Sequence, residues 1–384
     1  MYNRILLKAI IAGLDRGKIA IIYGTRQVGK TTLTREIVNY YRDTNSFDQA
    51  DIFWADGDQL ETQQGLSSQN LSTLKSFISN CKLLVVDEAQ RIPNIGINLK
   101  ILHDNIPDLK IIATGSSSFD LANKINEPLT GRSLEFLLTP LSFTELTQKE
   151  TIFHLKYHLE NLLIYGSYPH IYTQNSDQNK IQELKNLASN YLYKDILEWE
   201  NIRKSDKLNK ILKYLAIQIG GLISIHDLAT KLEISSQTVE KYIDLLEKAF
   251  VIFRLKAYSS NQANELSKSF KVYFWDLGIR NTIIQNLNYL DLRNDIGSLW
   301  ENYCVLERIK KNINNQVFAN YYFWRNYDQN EVDFVEESGG VLEGFEFKYE
   351  KKSITKGSYN FSKLYPNSTL KLINKDNLEE FLVG

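Results

Sequence analysis

Cysteine is nearly missing from this chain. It has two in 384 residues, Cys81 and Cys304, far apart in sequence. That count speaks against a disulfide scaffold and fits a reducing cytoplasm. Histidine is scarce as well. The five present show no His-x-x-His spacing, and no Cys-x-x-Cys occurs, so no zinc site is expected. Neither sign of charge dominates: 45 Lys and Arg stand against 46 Asp and Glu, a formal net charge of −1. No global basic field advertises nucleic acid, and any such contact has to be local. Long uncharged apolar runs are lacking too. No segment reaches membrane-spanning length, and the opening MYNRILLKAIIAGLDRGK has the periodicity of an ordinary amphipathic helix. No membrane partner is expected, and with no targeting signal read the cytoplasm is the default location. The length suggests two or three domains with enough apolar material for real cores.

What is present begins with GTRQVGKTT, between the apolar run IAIIY and the helical LTREIVNYY. Residues Gly24 to Thr31 match G-x-x-x-x-G-K-[ST], the Walker A pattern. Gly24 and Gly29 permit tight turns that bring backbone N–H groups to phosphate oxygens. Lys30 can reach the β- and γ-phosphates, and Thr31 can ligate Mg²⁺. The helix that follows favours an anion at its start. The whole loop, Gly24, Thr25, Arg26, Gln27, Val28, Gly29, Lys30, Thr31 and Thr32, is the expected nucleotide cradle. Within it Arg26 has the alternative of serving a phosphate or an acidic residue.

Further motifs follow in the order that chemistry on a nucleotide needs. In CKLLVVDEAQ, Leu83 to Val86 read as a buried parallel strand. Asp87 at its end is placed to hold Mg²⁺ through water, and Glu88 to polarise the attacking water. A strand in LKIIATGSSS ends in polar residues that can meet the γ-phosphate or the water. Among Thr114, Ser116 and Ser117 the reading favours Ser116. In LTGRSLEFLLTPLSFTEL, Arg132 precedes the strand Leu134 to Leu138, where an arginine can enter a neighbour's site. A plain surface arginine is the alternative.

Together GTRQVGKTTL, LLVVDEAQRIPN, ATGSSS and LTGRSLEFLLTPLSFTEL resemble the prokaryotic AAA+ ATPases that carry a C-terminal domain of unknown function. The resemblance covers nearly the whole chain. It implies an AAA+ core, ATP rather than GTP, and Mg²⁺. The segment IYGSYPHIY, broken by Gly166 and Pro169, is similar to the family's Gly-Gly-x-Pro turn, with Ser167 in place of the second glycine. A helical lid is expected there.

Beyond it, GLISIHDLATKLEISSQTVEKYIDLLEKAFVIFRLKAYSS reads as helix, turn, helix and β-ribbon, a winged-helix pattern. Leu228 and Leu232 mark the first helix and Ser236 is the expected cap of the second. Gln237, Thr238 and Lys241 would then lie near the exposed start of a recognition helix, ready for DNA. The bland alternative is a scaffold or docking module. Further on, Glu301 sits on an amphipathic helix, Asp333 on a hairpin and Glu346-Phe347-Lys348 on the next strand. Alternation puts Glu346 and Lys348 on one side. This set resembles the PD-(D/E)XK nuclease motif, with Val332 where the motif's name has proline. Two carboxylates and a lysine could hold a second Mg²⁺ or Mn²⁺ and act on a phosphodiester; the alternatives are a hairpin of solvated acids and a nuclease-like fold kept only for binding.

The expected fold is α/β: a P-loop AAA+ core over 1–145, a helical lid over 146–195, a winged helix over 196–283 and a small nuclease-like α/β domain over 284–384. The expected function is a Mg²⁺-dependent ATPase that binds, remodels or processes DNA, with a homo-oligomer as its setting. The alternative is a nucleotide-switched regulatory or assembly ATPase whose C-terminal domains bind protein partners. A basic winged-helix face favours the first reading, an acidic or apolar one the second.

Overall fold

Five short apolar runs build the first sheet. β1 (Ile19–Tyr23), β2 (Ile52–Asp56), β3 (Leu83–Asp87), β4 (Lys110–Gly115) and β5 (Ser133–Leu137) are all parallel, in the order β2-β3-β4-β1-β5. β1 is buried along its whole length, and so are the first four residues of β3. That explains their unbroken apolar sequence, since a parallel strand is covered on both faces. This computed structural model describes residues 2–45, 47–115, 128–190, 205–258, 269–326, 328–350, 353–354 and 357–383. Ser116 and Ser117 lie outside those residues. Helix α1 (Leu6–Asp15) buries Leu6, Ile10 and Leu14, the stripe its periodicity announces. Helix α2 (Lys30–Asn45) starts inside the Walker A segment. The sheet is thus mixed into an α/β fold of the expected class, with β4 inserted between β1 and β3.

The chain divides into two compact units, one over residues 3–139 and the other comprising Tyr2 and residues 140–384. The second unit opens with short helices over residues 143–190, the stretch expected as a lid. Their break comes at Gly166, with φ of +74°, where a Cβ would lie 2.1 Å from the Asp276 carboxylate. Asp276 accepts from the Ser167 N–H at 2.7 Å, so this glycine turn is pinned from 109 residues downstream.

Helix α3 (Ser205–Ile217), β6 (Leu222–Ser224), helices α4 (Ile225–Leu232) and α5 (Ser236–Lys248), then β7 (Ile252–Ala257) and β8 (Ser269–Phe274) follow in that order. Ser235, not Ser236, caps α5: its hydroxyl accepts from the Thr238 N–H at 3.1 Å. The two adjacent serines look alike in sequence, and only the backbone turn decides which oxygen faces the orphan amides. Helix α6 (Ile296–Asn314) leads to β9 (Asn320–Arg325), β10 (Glu331–Ser338), β11 (Val341–Phe347) and β12 (Thr369–Ile373).

These strands make one seven-stranded sheet in the order β12-β11-β10-β9-β7-β8-β6. The stretches expected as separate domains, 196–283 and 284–384, therefore share a sheet. The seam is the parallel pair β7–β9, with Lys256 beside Tyr322 and Ala257 beside Phe323. Helix α6 buries Leu299, Trp300, Tyr303 and Val305, and its Asn302 clasps both backbone groups of Phe274 on β8.

Candidate functional site

The strand registers bring the nucleotide motifs together. Ile22 on β1 lies beside Thr114 on β4, and Val86 on β3 lies beside Ala113. The C-terminal ends of β1, β3 and β4 therefore coincide, and Gly24, Asp87 and Thr114 meet there. Gly24 has φ of +154°, and a Cβ on it would sit 2.3 Å from the Leu138 carbonyl oxygen, so this position requires glycine. Gly29 and Gln27 also have positive φ, at +103° and +59°.

Lys30, only 7% exposed, turns back across the loop. Its Nζ donates to the carbonyls of Gly24 at 2.8 Å and Thr25 at 3.0 Å. The Thr25 hydroxyl is buried with no hydrogen-bond partner among the described residues. Thr31 Oγ1 donates to Asp87 Oδ2 at 3.0 Å, and Thr114 Oγ1 donates to the other carboxylate oxygen. Both Asp87 oxygens are thereby aimed. This oxygen-only set, one hydroxyl against one carboxylate beside a phosphate loop, fits Mg²⁺ with a nucleotide.

Glu88 follows in left-handed backbone, φ +48°, and takes a hydrogen bond from the Gln90 amide. That turn is crossed closely by the exit of β2. Gly57 donates to the Asp87 carbonyl at 2.8 Å, and a Cβ there would meet the Glu88 carbonyl oxygen at 2.4 Å. Arg26 is half-buried and Gln27 exposed on the loop, and Thr32 is exposed in the first turn of α2.

Arg132 is not brought to this group. Ile19 pairs with Ser133 and Tyr23 with Leu137, so Arg132 stands at the opposite end of the sheet from Gly24. One strand length, roughly 15 Å, separates them. Its guanidinium grips Asp104 with two bonds of 2.7 and 2.9 Å and holds that carboxyl down at about 2.

In the second unit, Gln237 and Lys241 are exposed on α5, while Thr238 is half-buried in the cap. Their neighbours are of mixed sign. Glu240 is exposed beside Lys241, and Asp244 and Glu247 both pair with Arg254 of β7.

Glu301, Asp333 and Lys348 do converge, but around a residue that sequence reasoning missed. Lys271 of β8, 2% exposed, places its Nζ 2.9 Å from Glu301 and 2.6 Å from Glu331. Tyr273 donates to Glu301 at 2.7 Å. Asp333 Oδ2 accepts from the Phe347 N–H at 2.9 Å and from Lys348 at 3.3 Å, and Glu346 is buried on the adjoining strand. Burial opposes the charge on Lys271, yet Glu301, Asp333 and Glu331 together hold its pKa above the ordinary lysine value. Burial also raises the Glu301 carboxyl, against the pull of Lys271.

The expected second Mg²⁺ or Mn²⁺ gains no support from these contacts. Among the described residues no group of three His, Cys, Asp or Glu is arranged to hold a metal. Neighbouring carboxylates favour a cation between them, and for Glu301 and Glu331 that cation is Lys271. The signal was in SFKVYF, where period-two alternation puts a lone lysine and Tyr273 on one face of an otherwise apolar strand.

Three family models match successive parts of the chain. An AAA domain model matches residues 16–147, a domain of unknown function (DUF8612) matches 156–290, and a domain of unknown function (DUF4143) matches 296–381. Uncharacterized protein Rv2008c of Mycobacterium tuberculosis is 26% identical over 340 residues, covering 87% of this chain and 71% of that protein. Uncharacterized protein MJ1544 of Methanocaldococcus jannaschii is 27% identical over 316 residues, covering 76% and 70%. Among solved structures, a DNA replication initiation factor aligns with 62% of this chain and 86% of its own, at 15% identity and a TM-score of 0.29. The Bacillus subtilis DNA clamp loader delta protein aligns with 63% and 87%, at 15% and 0.29. Residues 16–147 are thus an AAA domain of an AAA-family ATPase, joined in the same chain to a C-terminal domain of unknown function over 296–381.

Proposed function

We propose that the chain hydrolyses ATP with Mg²⁺ and uses turnover to act on DNA held by its winged-helix module. The observation that carries the hydrolytic part is the chain of contacts Thr31–Asp87–Thr114 beside Lys30 at the ends of three parallel strands. Thr31 and Asp87 would hold the metal, which supplies charge neutralisation across the phosphates. Lys30 leaves its carbonyl partners for phosphate oxygens. Glu88 orients water, and Thr114 reports on the metal side of the site through Asp87. Arg132, far from its own P-loop, serves the nucleotide of a neighbouring copy in this reading.

Glu88→Gln should bind ATP normally and turn it over about 10²–10⁴-fold more slowly, the usual contribution of a positioned base. Wild-type turnover in that variant would remove Glu88 from the role.

The DNA part rests on the order of α3, β6, α4, α5, β7 and β8, with Gln237 and Lys241 exposed near the start of α5. We expect single-stranded, duplex or branched DNA to raise the ATPase rate. Binding should weaken with salt, and Lys241→Ala should lower the slope of log affinity against log salt by about one contact's worth, ~0.9. The mixed charges of Glu240, Asp244 and Glu247 favour the second reading, a nucleotide-switched ATPase whose partner is a protein. No binding to any of the three DNAs at low salt would leave that reading standing. Cleavage forms no part of the proposal: the ion pairs described around Glu301 and Asp333 are with Lys271 and Lys348, and no metal-holding group of three is found among the described residues.

A further inference from the structure

Arg4 stands two residues before α1 and is only 7% exposed. Its guanidinium reaches the back of the nucleotide loop. One terminal nitrogen donates to the Val28 carbonyl at 3.1 Å and the other to the Thr139 carbonyl at 2.5 Å. Val28 is fully buried in the middle of the Walker A segment, and Thr139 follows the exit of β5. The carbonyl next to Thr139, that of Leu138, is the one that comes against Gly24. The Leu138 N–H in turn donates to the Tyr23 carbonyl at 2.8 Å, just ahead of the loop. Arg4 therefore joins the loop to the strand exit that packs against the loop's first glycine.

The direction of the Val28 carbonyl matters because a trans peptide is planar. The described residues contain no cis peptide. In a planar trans peptide the C=O of one residue and the N–H of the next point opposite ways. With the Val28 carbonyl drawn toward Arg4, the Gly29 N–H faces away from Arg4. Gly29, at φ of +103°, has no side chain to resist a different orientation. An outside restraint on its peptide is therefore informative. A fixed guanidinium fork can serve two carbonyls of separate segments at once, which the single ammonium of lysine does less well.

We infer that Arg4 is a positioning residue for the phosphate loop. It aims the Gly29 N–H into the cradle by holding the Val28 carbonyl behind it. This rests on the reading of the loop as an ATP site. Losing a hydrogen-bond pair to a charged donor weakens binding by about 10- to 100-fold.

The test uses the full chain with three variants, Arg4→Met, Arg4→Lys and Lys30→Ala, and measures KM for ATP, kcat at saturation and melting without nucleotide. The expected result is a split. Arg4→Met raises KM by about 10- to 100-fold while kcat at saturation stays within a few-fold, and Arg4→Lys recovers only part of the affinity. Should Arg4→Met fail to fold, Arg4→Lys decides by the same split. Wild-type KM in Arg4→Lys and Arg4→Met, alongside loss of ATP binding in Lys30→Ala, overturns the role of Arg4 and leaves the ATP site intact. Equal ATP binding by the wild type and Lys30→Ala overturns both.

Discussion

Lys30→Ala is expected to lower ATP turnover by about 10²–10³-fold, the cost of removing one preorganised charge from a site where negative charge develops. The lysine is nearly buried, and its donors rest on the carbonyls of Gly24 and Thr25. Neutral carbonyls hold an ammonium less strongly than phosphate oxygens do. The lysine is thus prepositioned, and only a partner exchange separates the two arrangements. Alanine removes the charge and, with it, the two bonds to the Gly24 and Thr25 carbonyls. Binding of a fluorescent ATP analogue should fall with turnover, while the melting curve without nucleotide should move little. A variant that hydrolyses ATP at the wild-type rate would contradict the assignment of this loop.

The second large effect lies in the other unit. Lys271→Met should destabilise it by about 3–5 kcal/mol, the range for removing one partner of a buried ion pair. Methionine fills much of the lysine's volume, so the loss reports charge more than packing. It leaves Glu301 and Glu331 without the ammonium that now lies within 3 Å of each. Combining Lys271→Met with Glu301→Gln should recover part of the loss, because one orphaned charge disappears with its partner. The measurement is denaturant unfolding followed by a tryptophan of this unit, Trp300 or Trp324. A chelator should leave the wild-type midpoint unchanged. A midpoint that drops on chelation would mean that a metal, and not Lys271, balances these carboxylates.

The nucleotide site was largely legible in the sequence because its pieces are local. Walker A is a contiguous turn running into a helix, and Asp87-Glu88 ends a contiguous apolar strand. Which of Thr114, Ser116 and Ser117 serves the site is not legible from the motif itself: the contact of Thr114 with Asp87 is a matter of register between residues 27 apart in sequence, and Ser116 and Ser117 lie outside the described residues. Arg4 escaped notice for a similar reason, since its acceptors lie 24 and 135 residues away. In the C-terminal half, Glu301, Asp333 and Lys348 could be found from pattern alone. The partner that changes their meaning could not. Lys271 precedes Glu301 by 30 residues and reaches it because helix α6 packs against β8, and it reaches Glu331 across the sheet in which β7 pairs with β9. Nothing in either strand's own sequence announces a parallel neighbour from the other side of a long helix.

That short β7–β9 seam governs whether this half of the chain can be expressed in pieces. Cutting the chain after residue 283 would strip β9 from β7 and leave a row of backbone N–H and C=O groups, those of Lys256 to Tyr258, open along one side. Such an unguarded edge templates pairing between molecules. The complementary fragment would carry the matching edge of β9 and, with it, Glu301, Glu331 and Asp333 deprived of their lysine. A clone truncated at this junction is therefore expected to aggregate, and only a fragment that keeps β7 and β9 together preserves both edges and the ion pairs of Lys271.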